Sequence, residues 1–152
     1  MKRVVIVEEA FNPGLELARL TGQTCDGAIA SFVGQVREGE GVTHLELQHF
    51  PGLTERALAR IADEATKRWS LTQALIIHRV GWMSLGDPIV LTAASAPGRR
   101  AALEAVAYMI DVLKTEAPFW KKEIGDDFER WVEPSQDDAS RATRWLEQKE
   151  KT

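Results

Sequence analysis

An α+β fold is what this sequence predicts: a single compact domain over 1–152, in which a mixed or antiparallel sheet packs against helices. Three observations predict it. The 152 residues are 44% hydrophobic, which suits one substantial core. Apolar runs with strand-like alternation recur between glycine and proline breaks. Helical periodicities fall between these runs without a regular β-α-β order, so a sandwich-like arrangement with no internal repeat or linker is expected.

Taken in order, residues 3 to 7 read as a strand, and Asn12-Pro13-Gly14 reads as a turn before a short helical segment near 14 to 20. Residues 27 to 37 predict a largely buried strand, followed by a glycine-rich loop at Glu38-Gly39-Glu40-Gly41. From Thr43 to Phe50 the chain alternates, placing Leu45, Leu47 and His49 on one face and His44, Glu46 and Gln48 on the other, until Pro51-Gly52 breaks it. Thr54 is the expected cap of the next helix, Glu55 suits its positive end, and Leu53 and Leu58 are spaced for a hydrophobic staple. Leu58, Ile61, Ala62, Ala65 and Trp69 give that helix its buried face. Two apolar strands follow, at about 73–80 and 88–95, separated by Gly81 and the Gly86-Asp87-Pro88 turn. The main helix then runs from about 99 to 117. Lys121 to Ile124 and Phe128 to Glu133 predict a hairpin around Gly125-Asp126-Asp127, and Ser135-x-x-Asp138 is a capping box for a terminal helix carrying Ala139, Ala142, Trp145 and Leu146.

Composition narrows the function. A net charge of −4 argues against non-specific binding to nucleic acid or to an anionic membrane, so an anion site has to be local. The N-terminal apolar run is too short for a signal peptide and no segment approaches a membrane span, which makes a cytoplasmic protein the expectation. Cys25 is the only cysteine, expected to be buried or half-buried, and His44, His49 and His78 lack metal-ligand spacings; neither a disulfide nor a metal centre is expected. Phosphate-cradling glycine loops and the G-x-S-x-G serine motif are absent as well.

The chemistry gathers at Leu113-Lys114-Thr115-Glu116-Ala117-Pro118-Phe119-Trp120-Lys121-Lys122-Glu123. At about 100° per residue, Leu103, Val106, Ile110, Leu113 and Ala117 share a stripe and Lys114 falls at its edge. Such a lysine either snorkels, with its charge in water, or is partly desolvated, which lowers its pKa and fits it as acid, base or amine nucleophile. Ala117-Pro118 ends the helix, so the chain turns and Lys121 and Lys122 can come back towards Lys114. Arg99 and Arg100 open the main helix, where two cations oppose the dipole and an anion would reverse the penalty; two solvated arginines are the plainer alternative. Arg37 before the glycine-rich loop and Arg130 in the hairpin are further cationic candidates. Together they predict an electropositive pocket on an acidic protein.

Several ordered blocks carry a family resemblance: Phe32-Val33-Gly34-Gln35-Val36-Arg37, His49-Phe50-Pro51-Gly52-Leu53-Thr54-Glu55, Ile77-His78-Arg79-Val80-Gly81, Gly86-Asp87, the Lys114 to Glu123 stretch, and Arg130-Trp131-Val132-Glu133. Over nearly its whole length the chain resembles the catalytic (large) subunit family of molybdopterin synthase. The resemblance implies an α/β hammerhead-like fold and a sulfurtransferase of molybdenum cofactor biosynthesis. A small ubiquitin-like sulfur carrier subunit would insert its C-terminal Gly-Gly thiocarboxylate and deliver sulfur to cyclic pyranopterin monophosphate, forming the dithiolene of molybdopterin. It also implies a homodimer of catalytic subunits with a carrier at each end, a heterotetramer, and no cofactor. On it Lys114 maps to the essential lysine and Lys121 to the second pocket lysine, while Arg37 and Arg99 map to substrate-phosphate or pterin-site positions.

One departure is visible. Where the family commonly has Ser-Ala-His-Arg, this chain reads Ser95-Ala96-Pro97-Gly98-Arg99-Arg100, so Gly98 stands at the histidine position and Arg100 is a candidate substitute for it. A non-catalytic, carrier-binding scaffold homologue is therefore the alternative reading. A Schiff-base lysine enzyme acting on a small phosphorylated carbonyl compound is a weaker third.

Overall fold

Two four-stranded sheets carry the apolar runs of this chain. A computed structural model describes residues 1–133 and 135–150, with side chains described to residue 146. In the first sheet β1 (Lys2–Val7), β4 (Gln73–Arg79), β6 (Pro88–Ala96) and β2 (Ala28–Gln35) lie in that order. β1 runs parallel to β4, and the other pairs are antiparallel. The second sheet is wholly antiparallel, in the order β5 (Gly81–Ser84), β3 (Val42–His49), β7 (Phe119–Gly125) and β8 (Glu129–Val132).

Helices α2 (Leu53–Trp69) and α3 (Arg99–Glu116) cover one face of the first sheet, and α4 (Gln136–Glu150) adds Trp145 to the core they form. The short α1 (Pro13–Ala18) precedes Leu20, which closes a smaller cluster with Leu75, Ile77, Leu91 and Ala93 on the opposite face. A third cluster joins the sheets: Val36, Leu45, Leu47, Val80, Met83 and Ile89, with Ile6 and Phe119 packed on it. The expected α+β class, the alternation of β3 and the β7–β8 hairpin are all present.

Local expectations differ in five places. Asn12-Pro13-Gly14 starts α1 rather than preceding it, because Asn12 Oδ1 accepts from Leu15 N–H at 3.2 Å and proline tolerates the first helical position. β2 is an edge strand, so Ile29, Phe32 and Val33 are exposed instead of buried. β5 was not apparent as a strand; it is four residues long, and only Met83 from it enters the inter-sheet core. On α3, Leu103 is 61% exposed, and the buried stripe runs through Ala102, Ala105, Val106, Met109, Val112 and Leu113. Two alanines let that helix sit close to the sheet, which rotates the bulkier Leu103 outward. Cys25, finally, is exposed.

The start of α2 also reads differently. Gly52 caps it at φ 86°, a left-handed conformation that suits glycine, and Glu55 accepts from the Gly52 N–H. Leu53 is the first helical residue and is exposed, so no staple forms. Thr54 instead points inward, fully buried. Its Oγ1 accepts from Phe50 N–H at 2.9 Å and donates to the Pro118 carbonyl at 2.8 Å. It thus ties the α2 entry to the α3–β7 junction. Thr54→Val keeps the shape, deletes both bonds and strands two backbone groups; we expect a loss of about 1–3 kcal/mol in urea unfolding.

Candidate active site

The α3–β7 junction is built by three residues. Leu113 is buried and its carbonyl accepts from Ala117 N–H at 3.2 Å, the last helical bond. Ala117 then turns to an extended conformation (φ −83°, ψ 125°), as the residue before a proline must. Pro118 lets β7 begin at Phe119, opposite His49 of β3. Lys114 therefore leaves the last turn of α3 where Lys121, two residues into β7, comes back past it.

The two lysines affect each other. Lys114 reaches solvent, yet it lies in a recess where protein displaces much of its water. That desolvation is the main cause holding its pKa below the usual lysine value; the Lys121 ammonium adds to the depression, Asp138 opposes it, and the Arg37 guanidinium lowers it further. Two further cations and one carboxylate thus act on the Lys114 amine. Arg37 is carried there by Val36, which is fixed by hydrogen bonds to Asp87 O (3.0 Å) and from Gly86 N–H (2.8 Å). Asp87 in turn accepts from Ser84 N–H at 2.9 Å and from Arg79 at 3.2 Å, so the Gly86-Asp87 motif is structural. Among the described residues, Lys114, Lys121 and Arg37 form no ion pair.

The remaining candidates lie elsewhere in the chain. Arg99 and Lys114 stand fifteen residues apart on α3, about 22 Å along its axis, so within one subunit they cannot line one pocket. Convergence of all the predicted cations is thereby corrected. Arg100 is held by Glu104 at 3.0 Å, and Glu104 also accepts from Trp69 Nε1 at 3.0 Å. Arg130 spans Glu40 at 2.8 Å and Glu123 at 3.3 Å and lies over the Phe128 ring. Lys122 projects to the face opposite Lys121, pairs with Glu129 at 2.9 Å and sits over Trp131. Gly98, the departure from the family pattern, has an extended backbone (φ −128°, ψ 155°) and open space where a Cβ would be.

Sequence reasoning set His78 and His49 aside once metal spacing failed, and both prove to border this site. His78 is buried with its ring stacked on Phe119 at 4.0 Å, and His49 Nε2 lies 3.2 Å from Glu55. The available signal for His78 was a histidine at the end of an otherwise apolar strand. On the other face of the second sheet from Lys121, Trp120 and Trp131 with Gln48, His49 and Phe50 line an apolar shelf with a cavity of about 370 Å³. No cluster of His, Cys, Asp or Glu among the described residues could hold a metal, and no helix among them is long and apolar enough to cross a membrane.

The chain is thus a two-sheet α+β protein with two lysines at one helix-to-strand junction and an arginine whose charge reaches them. Comparison with known proteins gives it a family. The model of the MoaE protein family matches residues 6–116. The molybdopterin synthase catalytic subunit of Escherichia coli is 42% identical over 146 residues, 94% of this chain and 97% of that protein. The molybdopterin synthase catalytic subunit of Ralstonia nicotianae is 45% identical over 149 residues, 95% of this chain and 85% of that one. The solved molybdopterin biosynthesis MoaE protein of Burkholderia ambifaria superposes with a TM-score of 0.82 at 44% identity, covering 95% of this chain and 98% of that chain. The chain belongs to the MoaE protein family, as do the molybdopterin synthase catalytic subunits it is similar to.

Proposed function

We propose that this chain is the sulfur-transferring subunit of a molybdopterin synthase. A small ubiquitin-like carrier places its C-terminal Gly-Gly thiocarboxylate beside Lys114, and cyclic pyranopterin monophosphate receives the sulfur. The observation that carries this reading is the pair Lys114 and Lys121 on the two sides of the α3–β7 junction, close enough to depress the Lys114 pKa, with the Arg37 charge adding to it. A thiocarboxylate tail and a phosphate are both anions, and cations clustered around a partly desolvated lysine attract both. Lys114, its pKa held below the usual lysine value by desolvation and by Lys121, is the group that gives or takes the proton as oxygen leaves the pterin. Lys121 stabilises the negative charge that develops on the acyl oxygen. Arg37 clamps the substrate anion.

Arg99 enters this reading only through a second copy of the chain. β2 offers an unpaired sheet edge with exposed Ile29, Phe32 and Val33. Those features suit the homodimer that the family resemblance implies, with a carrier at each outer end. A dimer can bring one subunit's Arg99 to its partner's lysines; Arg100 and Arg130, each engaged by carboxylates, keep secondary substrate roles at most.

The direct test mixes the protein with thiocarboxylated carrier and cyclic pyranopterin monophosphate. Dithiolene product, with the carrier tail converted to a carboxylate, is the expected result. Tight carrier binding without product would favour the scaffold reading, which the missing histidine at Gly98 motivates. Gly98→His separates the two further: the open space there predicts a stability change within about 0.5 kcal/mol. In that variant an unchanged transfer rate means the chain does without the histidine, and a gain means the histidine's work is partly missing.

A further inference from the structure

Behind the lysine recess lies a polar side chain with no part in the proposed reaction. His78 is 3% exposed in β4, between Ile6 of β1 and Val90 of β6. It shares the helix-facing side of the strand with Ala74 and Ile76. Its Nδ1 lies 2.9 Å from the Arg79 carbonyl oxygen; a carbonyl only accepts, so Nδ1 carries the proton and the neutral ring keeps a lone pair on Nε2.

The ring stacks on Phe119 with centroids 4.0 Å apart and planes inclined by 22°. Phe119 packs on both the helix-side core and the inter-sheet core, and it is the first residue of β7. The stacked pair is therefore a wedge between the end of α3, which carries Lys114, and the start of β7, which carries Lys121. Lys114 from α3 and His49 from β3 are the charged groups acting on His78, and Lys114 itself faces Lys121 from β7, Asp138 from α4 and Arg37 beyond β2. A carboxylate at position 78 would hold the lysine protonated. An uncharged ring excludes water without doing so.

We propose that His78 is a positioning residue for Lys114: its stack on Phe119 fixes the α3–β7 junction and so holds the lysine at the end of α3 in place beside Lys121. The role rests on reading Lys114 as the reactive amine, and its test separates the two. His78→Asn keeps a side-chain N–H for the Arg79 carbonyl but removes the ring; His78→Phe keeps a ring for the stack but removes the donor. Phe119→Leu removes the stack from the other side and serves if His78→Asn folds poorly.

One readout is the pH dependence of Lys114 acylation by a small amine-reactive ester, followed by peptide mass spectrometry with exposed Lys2 as internal reference. It needs neither carrier nor pterin. The second is kcat for sulfur transfer and KM for the carrier. His78→Asn and Phe119→Leu are expected to raise the acylation midpoint of Lys114 by about half a unit or more and to lower kcat about tenfold, with carrier KM little changed. His78→Phe is expected to stay close to wild type in both. A midpoint unmoved in His78→Asn and Phe119→Leu, or moved equally in His78→Phe, overturns the proposal. A shifted midpoint in a protein that transfers no sulfur would support the positioning role while removing the proposed reaction.

Discussion

Lys114→Ala is expected to lower sulfur transfer by about a hundredfold or more while leaving carrier binding within severalfold and the fold intact. The expectation follows from where the lysine sits. Its neighbours Leu113 and Ala117 carry the packing of this helix end, so removing the amine costs little stability. Its chemistry has no nearby replacement: among the described residues Lys121 is the one other lysine acting on it, and a guanidinium such as that of Arg37 is no substitute for an amine in proton transfer. Lys114→Arg sharpens the point, since it restores the charge but not a group that can lose a proton. It should bind the carrier tail and still transfer slowly. A pH series on wild type should show transfer rising through a midpoint below that of an ordinary lysine, because burial and Lys121 favour the neutral amine.

The second large effect concerns stability in acid. Burial, outweighing the Arg79 carbonyl bond that pulls the other way, and the charges of Lys114 and His49 hold the His78 pKa at about 4, against 6.5 for a free histidine. Its folded pKa is depressed, so the unfolded chain binds the proton first as pH falls below 6.5. Stability from this group is complete above that pH and is lost as pH drops through 4. Integrated over the gap, the loss is about 3 kcal/mol. Urea unfolding of wild type at pH 7 and pH 4 should differ by this much more than the same pair of measurements on His78→Phe, which has nothing to titrate there. An equal acid sensitivity of the two proteins would place the cause in other groups.

Much of this was legible in sequence because the signals are local. The α3 stop at Ala117-Pro118 needs only proline's missing N–H and its crowding of the residue before it, and the lysines either side of it, Lys114 and Lys121, belong to one short stretch of sequence. The β3 alternation and the Gly125 hairpin are equally short-range. What could not be read depends on distant partners. Thr54 looks like a cap until the Pro118 carbonyl, sixty-four residues away, is seen to receive its hydroxyl. Leu103 faces outward because Ala102 and Ala105 set the helix rotation against a sheet that the periodicity alone does not include. β2 looked buried because its composition is apolar, and only the strand order makes it an edge. Arg99 is a different case: the length of the main helix already separated it from Lys114, and grouping the two as neighbours overlooked that arithmetic.

The central claim is that a carrier's C-terminal carboxyl group comes to rest against Lys114, with Lys121 beside it. Zero-length carbodiimide coupling of the carrier to this chain, read by tandem mass spectrometry, tests it most directly. The account predicts an isopeptide bond from the terminal glycine to Lys114 or Lys121, with coupling to Lys114 lost and total coupling reduced in Lys114→Ala. Coupling that falls instead on Lys122, Lys2 or Lys67, unchanged by that substitution, would contradict it.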